Sequence, residues 1–236
     1  MSVDIKIRRL LETDPFLNAI HFSMPGAPTI RPRDYRALAS CFSKRPVRRR
    51  IRVATRSVHI LSGFGAQYVS ANTPLQRRQA DGTLRTVTTL RGDTVYLSAP
   101  NILDTSHGRA LVVHELTHAL IDAMMIEVSF RDDEAVAYLA MLLYFHAAGG
   151  GSWYGRPEPD ESRGRARNRQ ALEAMRTVAL GVGARAGAGP TEVTQDERLA
   201  LRQAIGTYGY PLGSSSFCNG IGGWRLQDGT WIRAGR

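Results

Sequence analysis

Residues 110–126 carry the most informative pattern of the chain and read Ala110-Leu-Val-Val-His114-Glu115-Leu-Thr-His118-Ala-Leu-Ile-Asp-Ala-Met-Met-Ile126. Residues 111–120 contain no proline, no glycine and no charge except Glu115, which predicts a buried helix. On such a helix His114 and His118 lie one above the other on one face, at the spacing that a single zinc ion needs. Glu115 stands beside them and can take a proton from a water molecule that a metal activates. Because a buried helix rarely contains two His and a Glu without a chemical reason, the segment predicts a metal site.

A catalytic zinc site usually has three protein ligands, so the histidine pair needs one more. The best candidate is Glu134, which begins a second apolar segment. The acidic cluster around it is typical of the first turn of a helix. Residues 127–131 are enough chain to reverse direction, so we expect an antiparallel second helix that presents Glu134 to the metal. Asp132, Asp133 and Glu127 are the alternative ligands, and Glu134 is favoured because it begins the apolar helix.

His114-Glu-Leu-Thr-His118 followed by Glu134-Ala-Val-Ala-Tyr138 resembles the zincin metallopeptidases, specifically the gluzincin branch with a glutamate as third ligand. The pair of motifs is also similar to those of small, largely uncharacterised bacterial proteins. The resemblance covers residues 94–145, which is less than half of the chain. It implies a zincin-like fold in which His114, His118 and Glu134 hold zinc and Glu115 is the general base.

The chain departs from the gluzincin pattern at one position. Some gluzincins have an aspartate four residues after the ligand glutamate, where it orients a ligand histidine, and this chain has Tyr138 there. A ligand histidine usually needs such an acceptor. Asp122, one turn after His118, could supply it.

Metallopeptidases also need a donor that stabilises the oxyanion of the tetrahedral intermediate, commonly a Tyr, His or Arg outside the metal helix. Tyr208 and Tyr210 lie on the glycine-rich stretch 206–213, where a side chain can be held over a cleft. We therefore expect a catalytic role for Tyr208 or Tyr210. The alternatives are that both tyrosines pack on the core, or that Tyr138 has this role.

Residues 83–90 and 93–98 are β-branched or alternating and predict two strands upstream of the helix. Zincins place an edge strand above the active-site helix, and the substrate backbone adds to it as a further strand. We nominate the strand that ends near Ser98 for this position. An interior strand of the same small sheet is the alternative.

The rest of the chain indicates architecture more than chemistry. We expect a single α+β domain over residues 1–236, with a small twisted mixed sheet packed on the active-site helix and the Glu-bearing helix, and with additional C-terminal helices. The basic segment 1–60, the exposed loop 147–170 and the hairpin 224–232 are expected as appendages. The expected elements are a helix at 34–42, a strand at 51–61, helices at 170–180 and after the Thr194–Glu197 capping box, and an Asp228-Gly229 hairpin turn.

Length and composition limit the class of protein. At 236 residues and 43% hydrophobic, the chain can bury one sizeable core. No apolar run approaches 18 residues and the first twenty residues do not resemble a signal peptide, so a cytoplasmic location is the default expectation. Leaderless secretion would leave no mark of this kind. Cys41 and Cys218 are expected as two thiols or at most one bridge.

The formal net charge is +10 and comes from 29 Arg and 2 Lys against 21 acidic residues. A basic surface can attract nucleic acid, but these residues are spread along the chain apart from clusters at 45–52 and 163–169. No aromatic interleaving or nucleic-acid motif accompanies them. The charge therefore indicates a solvated surface, and nucleic acid is not an expected partner.

The expected activity is zinc-dependent hydrolysis of a peptide or related amide bond, with a peptide or protein as substrate. A second hypothesis is a basic nucleic-acid- or protein-binding module whose zinc site is structural or vestigial. A third is a leaderless bacterial protease toxin or effector. The sequence does not predict the oligomeric state.

Overall fold

The computed structural model describes residues 1–42, 50–56, 65–78, 83–151, 153, 162–207 and 220–233. Both helices and strands occur in these residues, which confirms a mixed α+β class. The helices are α1 (Val3–Thr13), α2 (Pro32–Ala39), α3 (Ser106–Met124), α4 (Phe130–Ala147), α5 (Arg163–Ala184) and α6 (Gln195–Thr207). The strands are β1 (Phe22–Ser23), β2 (Arg52–Thr55), β3 (Ala66–Val69), β4 (Thr73–Arg78), β5 (Leu84–Leu90), β6 (Thr94–Leu97), β7 (Thr191–Glu192), β8 (Trp224–Gln227) and β9 (Thr230–Arg233).

The two predicted apolar helices are confirmed as α3 and α4. Thr105 caps the start of α3 because its Oγ1 accepts a hydrogen bond of 3.0 Å from the Gly108 N–H. The helix ends at Met124, and the next residue, Met125, has a left-handed φ of 54°. Ser129 then caps α4 by accepting from the Asp132 N–H at 3.2 Å. The chain therefore reverses within a few residues, as the length of the connection predicts.

Side-chain contacts show that α3 and α4 are antiparallel. From the start of α3 to its middle, His107 contacts Phe145, Arg109 donates to the Tyr144 hydroxyl, and His118 contacts Asp133. Both helices are apolar on nearly all faces, which is typical of elements in the centre of a domain. They form the middle of the main core, to which the other helices add their apolar faces.

A small mixed sheet packs beside α3. Its strand order is β2-β6-β3, with β2 parallel and β3 antiparallel to the central strand β6. Strand β3 contacts α3 directly. The nomination of the strand near Ser98 as an edge strand is wrong, because β6 lies between two strands and all four of its residues are buried. Residue alternation reports a half-buried or buried strand but not its number of neighbours.

The N-terminal helices belong to the main core. Helix α1 was not predicted, although Ile7, Leu10 and Leu11 have helical spacing and are buried. Helix α2, followed by a 3₁₀ turn at Ser40–Phe42, matches the helix expected at 34–42. Its Tyr35 hydroxyl forms a buried hydrogen bond of 2.6 Å with Thr117 Oγ1 on α3. The pair fixes α2 against the helix that carries the two histidines.

The C-terminal part agrees with most expectations. The capping box is confirmed, because the Glu197 N–H donates to Thr194 Oγ1 and the Thr194 N–H donates to Glu197 Oε2. Asp228 and Gly229 both have positive φ values in the β8–β9 turn, as a type I′ turn requires. The expected loop 147–170 is wrong at its end, because α5 already begins at Arg163 after a Ser162 cap. None of the helices in the described ranges has the length and apolar character needed to cross a membrane.

Candidate metal centre

The side chains of His114, His118 and Glu134 come together between α3 and α4. The two Nε2 atoms are 3.1 Å apart, Glu134 Oε2 is 3.5 Å from His114 Nε2, and Glu134 Oε1 is 3.7 Å from His118 Nε2. Ligand bonds of 2.0–2.1 Å in a tetrahedral zinc site put neighbouring ligand atoms about 3.3 Å apart. The three residues therefore form a group that could hold a metal ion, and their spacing fits zinc.

Two buried atoms of this group have no hydrogen-bond partner within the part of the chain that the structure describes. They are Glu134 Oε2 and His114 Nδ1, in residues that are 6% and 7% exposed. A buried carboxylate oxygen without a donor is costly, so it normally marks strain or an ion. Glu134 Oε2 faces His114 Nε2 at 3.5 Å without a hydrogen bond between them, and a cation bound by both atoms would satisfy the carboxylate oxygen.

Asp133 orients His118. Its Oδ1 lies 2.9 Å from His118 Nδ1, an arrangement that favours a proton on Nδ1, so a metal between Glu134 and His114 could bind His118 through Nε2. The expectation that Asp122 supplies this acceptor is wrong. Asp122 instead accepts from the Tyr68 hydroxyl at 2.7 Å and from the Gly220 N–H at 3.1 Å.

Tyr138, which stands where some gluzincins have an aspartate, packs on the other ligand histidine. Its ring centroid is 4.6 Å from that of His114, with an interplanar angle of 69°. This edge-to-face contact restricts the His114 ring by packing. The two histidines are thus fixed by different means, a carboxylate for His118 and an aromatic ring for His114.

The charges around the group favour an added positive charge. Burial alone would lower the pKa of His118, but Asp133 and Glu134 outweigh burial and raise that pKa to about 10. Burial alone would raise the pKa of Glu134, and the adjacent His118 and His114 hold it below its usual value instead. Without a metal, a proton on His118 therefore takes the place that a cation would have among these carboxylates.

Glu115 is on the next position of α3 and points toward strand β3. Its Oε2 accepts a hydrogen bond of 2.6 Å from the Tyr68 backbone N–H. Burial raises the pKa of Glu115 above its usual value, while His114, His118 and the Tyr68 N–H limit the rise. Tyr208 and Tyr210 lie outside the described residues, so their catalytic role stays a prediction.

The first turn of α4 is held by an ion-pair cluster that the sequence analysis missed. Asp132 is 3% exposed and accepts from Arg198 Nε at 2.9 Å, from Arg198 Nη2 at 2.8 Å and from Arg202 Nη1 at 2.5 Å. Its Oδ2 also accepts from the Ser129 hydroxyl. Both arginines belong to α6, some seventy residues away, and no local pattern connects them to Asp132. The cluster ties the start of α4, and so Glu134, to α6.

Comparisons of the chain with protein-family models, with curated proteins and with solved structures found no match. The assignment of a metal centre therefore rests on the residues and distances of the site itself.

Proposed function

We propose that this protein is a zinc-dependent hydrolase that cleaves a peptide or related amide bond. The observation that carries the proposal is the meeting of His114, His118 and Glu134 on two helices, with Glu115 beside the first histidine. Structural zinc sites nearly always have four protein ligands, whereas catalytic sites have three and leave a position open. Among the described residues the group contains three.

Zinc bound at such a site acidifies a water molecule and polarises a carbonyl group. The residues of the chain would supply the rest of the chemistry. Glu115 accepts the proton of the attacking water and delivers it to the leaving amine, which is the usual work of a general base and acid. Asp133 keeps His118 in the tautomer that a ligand needs, and burial of Glu134 strengthens its attraction for a cation.

The first test is the metal content of the purified chain. We expect about one zinc per chain after dialysis, because three ligands and an open position describe a catalytic site. Glu134→Ala should lose most of that zinc. Glu127→Gln is a matched control, because Glu127 is exposed in the connection between α3 and α4 and belongs to no metal group among the described residues.

The second test is turnover on a mixed peptide library, followed by mass spectrometry. Glu115→Gln should keep its zinc and lose cleavage, since glutamine cannot accept the proton, whereas Glu127→Gln should cleave as the wild type does. Cleavage by the Glu115→Gln variant would reject the mechanism. Zinc without cleavage of any peptide would favour the binding module with a structural site. An absence of zinc would reject the hydrolase and favour the binding module with a vestigial site.

A further inference from the structure

Strand β3 approaches the metal centre with its outer edge. The Ser98 N–H donates to the Gly65 carbonyl at 2.8 Å, which makes that pair a hydrogen-bonded pair of the β3–β6 ladder. Such pairs alternate along antiparallel strands, so Tyr68, opposite Val95, is a non-hydrogen-bonded residue whose N–H faces away from β6. That outward N–H is the one that donates to Glu115.

The side chain of Tyr68 makes a second attachment to the same helix. Its hydroxyl donates to Asp122 Oδ2 at 2.7 Å. Asp122 follows Glu115 by seven residues, so the two carboxylates lie on one face of α3, two turns or about 10 Å apart. The other oxygen of Asp122 accepts from the buried Gly220 N–H, and Asp122 is only 2% exposed. Tyr68 is therefore fixed at both ends against α3.

We propose that Tyr68 is a positioning residue for Glu115, held in place by its hydroxyl bond to Asp122. This inference rests on the proposed function for its catalytic consequence. A glutamate side chain has three rotatable bonds, and a charge-assisted N–H···O⁻ bond of 2.6 Å restricts them. Within the described residues, the bond engages Oε2 and leaves Oε1 without a hydrogen bond. The free oxygen is thus the one presented for proton exchange, in a fixed orientation.

The two hydrogen bonds of Tyr68 to α3 fit a positioning role better than a purely structural role. If Tyr68 had only a structural role, its replacement by phenylalanine would leave Glu115 unaffected. Here the same residue supplies the N–H that binds the carboxylate and the hydroxyl that fixes the strand. Loss of the Asp122 anchor frees β3 to shift, and a displacement near 1 Å in a catalytic group can reduce turnover by about a hundredfold.

The test uses ¹⁵N-labelled full-length protein with zinc added, and it observes the backbone amide of residue 68 by NMR. We expect the Tyr68 amide proton to be shifted downfield and slow to exchange, because its acceptor is a charged carboxylate. Glu115→Gln should move it upfield, and Tyr68→Phe should speed its exchange. Tyr96→Phe is the matched control, because Tyr96 is a buried tyrosine on the neighbouring strand whose hydroxyl accepts from the Arg91 N–H.

Turnover and zinc affinity complete the experiment. In Tyr68→Phe we expect kcat to fall about tenfold with KM and the zinc Kd unchanged, whereas Tyr96→Phe should keep wild-type values. The positioning role would be overturned if Glu115→Gln left the chemical shift of the residue 68 amide proton unchanged. It would also be overturned if Tyr68→Phe had the wild-type kcat. If the wild type cleaves nothing, the proposed hydrolase function fails, and the amide measurement alone decides whether Tyr68 holds Glu115.

Discussion

Replacing Asp132 by alanine should destabilise the protein by about 2–3 kcal/mol. Breaking a fully buried ion pair costs about 3–5 kcal/mol, because the remaining charge stays buried, whereas exposed pairs contribute about 0.2–1 kcal/mol. The Asp132 side chain is 4% exposed, but those of Arg198 and Arg202 are 20% and 29% exposed. Water can therefore partly solvate the two guanidinium groups, which places the expected loss between the two limits.

Thermal unfolding measures this loss directly. For a chain of this size each kcal/mol shifts Tm by about 2–4 °C, so Asp132→Ala should melt about 4–12 °C below the wild type. Glu12→Ala is the control, since the Arg8–Glu12 pair is exposed on both sides and should contribute less than about 0.5 kcal/mol. An Asp132→Ala variant that melts within 1 °C of the wild type would refute the reasoning, with that margin set at about a third of a kcal/mol.

The stability that Asp132 contributes should depend on pH. Burial alone would raise the pKa of Asp132, but hydrogen bonds from Arg198, Ser129 and Arg202 hold it below its usual value. A carboxyl whose pKa is lowered by folding stabilises the protein above its unfolded value of about 3.9, and that contribution is lost as the pH falls through the lower folded value. The stability difference between the wild type and Asp132→Ala should therefore be constant near neutral pH and shrink below about pH 4. Denaturant titrations at several pH values would measure it.

Two further predictions concern the metal centre and the start of α3. Asp133→Ala should weaken zinc binding about 10–100-fold, because it removes the acceptor that orients His118, and competition with a chromophoric chelator would measure the change; equal affinity would contradict that role. Gly108→Ala should destabilise the protein by at least about 2 kcal/mol in urea titrations, since an added Cβ would lie 1.7 Å from the Ile102 carbonyl oxygen. Gly164→Ala, where a Cβ meets nothing within 4 Å, is the matched control and should not destabilise.

The parts of the site that the sequence predicted are those encoded by short spacings. Two histidines one turn apart, a glutamate at the start of the next helix and a short connection together specify a meeting of three side chains, because helix geometry is regular. The same regularity predicted α3 and α4. The capping box and the Asp-Gly turn were predictable for a related reason, since each is complete within four residues.

The parts that the sequence did not predict depend on contacts between distant segments. Asp133 and Asp122 are both acidic residues near the histidines, and only the approach of β3 and the Gly220 segment shows which one contacts a ligand. The central position of β6 likewise depends on the pairing of β2 and β3 on its two sides, which the residues of β6 alone do not specify. Helix α1 has a helical pattern, but its short length and charged residues hid the three buried positions.

The spacing of the metal centre also has a consequence for folding. All three candidate ligands lie within the 21 residues from His114 to Glu134, on two adjacent helices. Closing so short a segment costs little chain entropy, and contacts that are local in sequence form early. We therefore expect that zinc can bind the helical hairpin before the small sheet is assembled. The ion would then favour a compact intermediate during folding, and a shortage of zinc would slow folding.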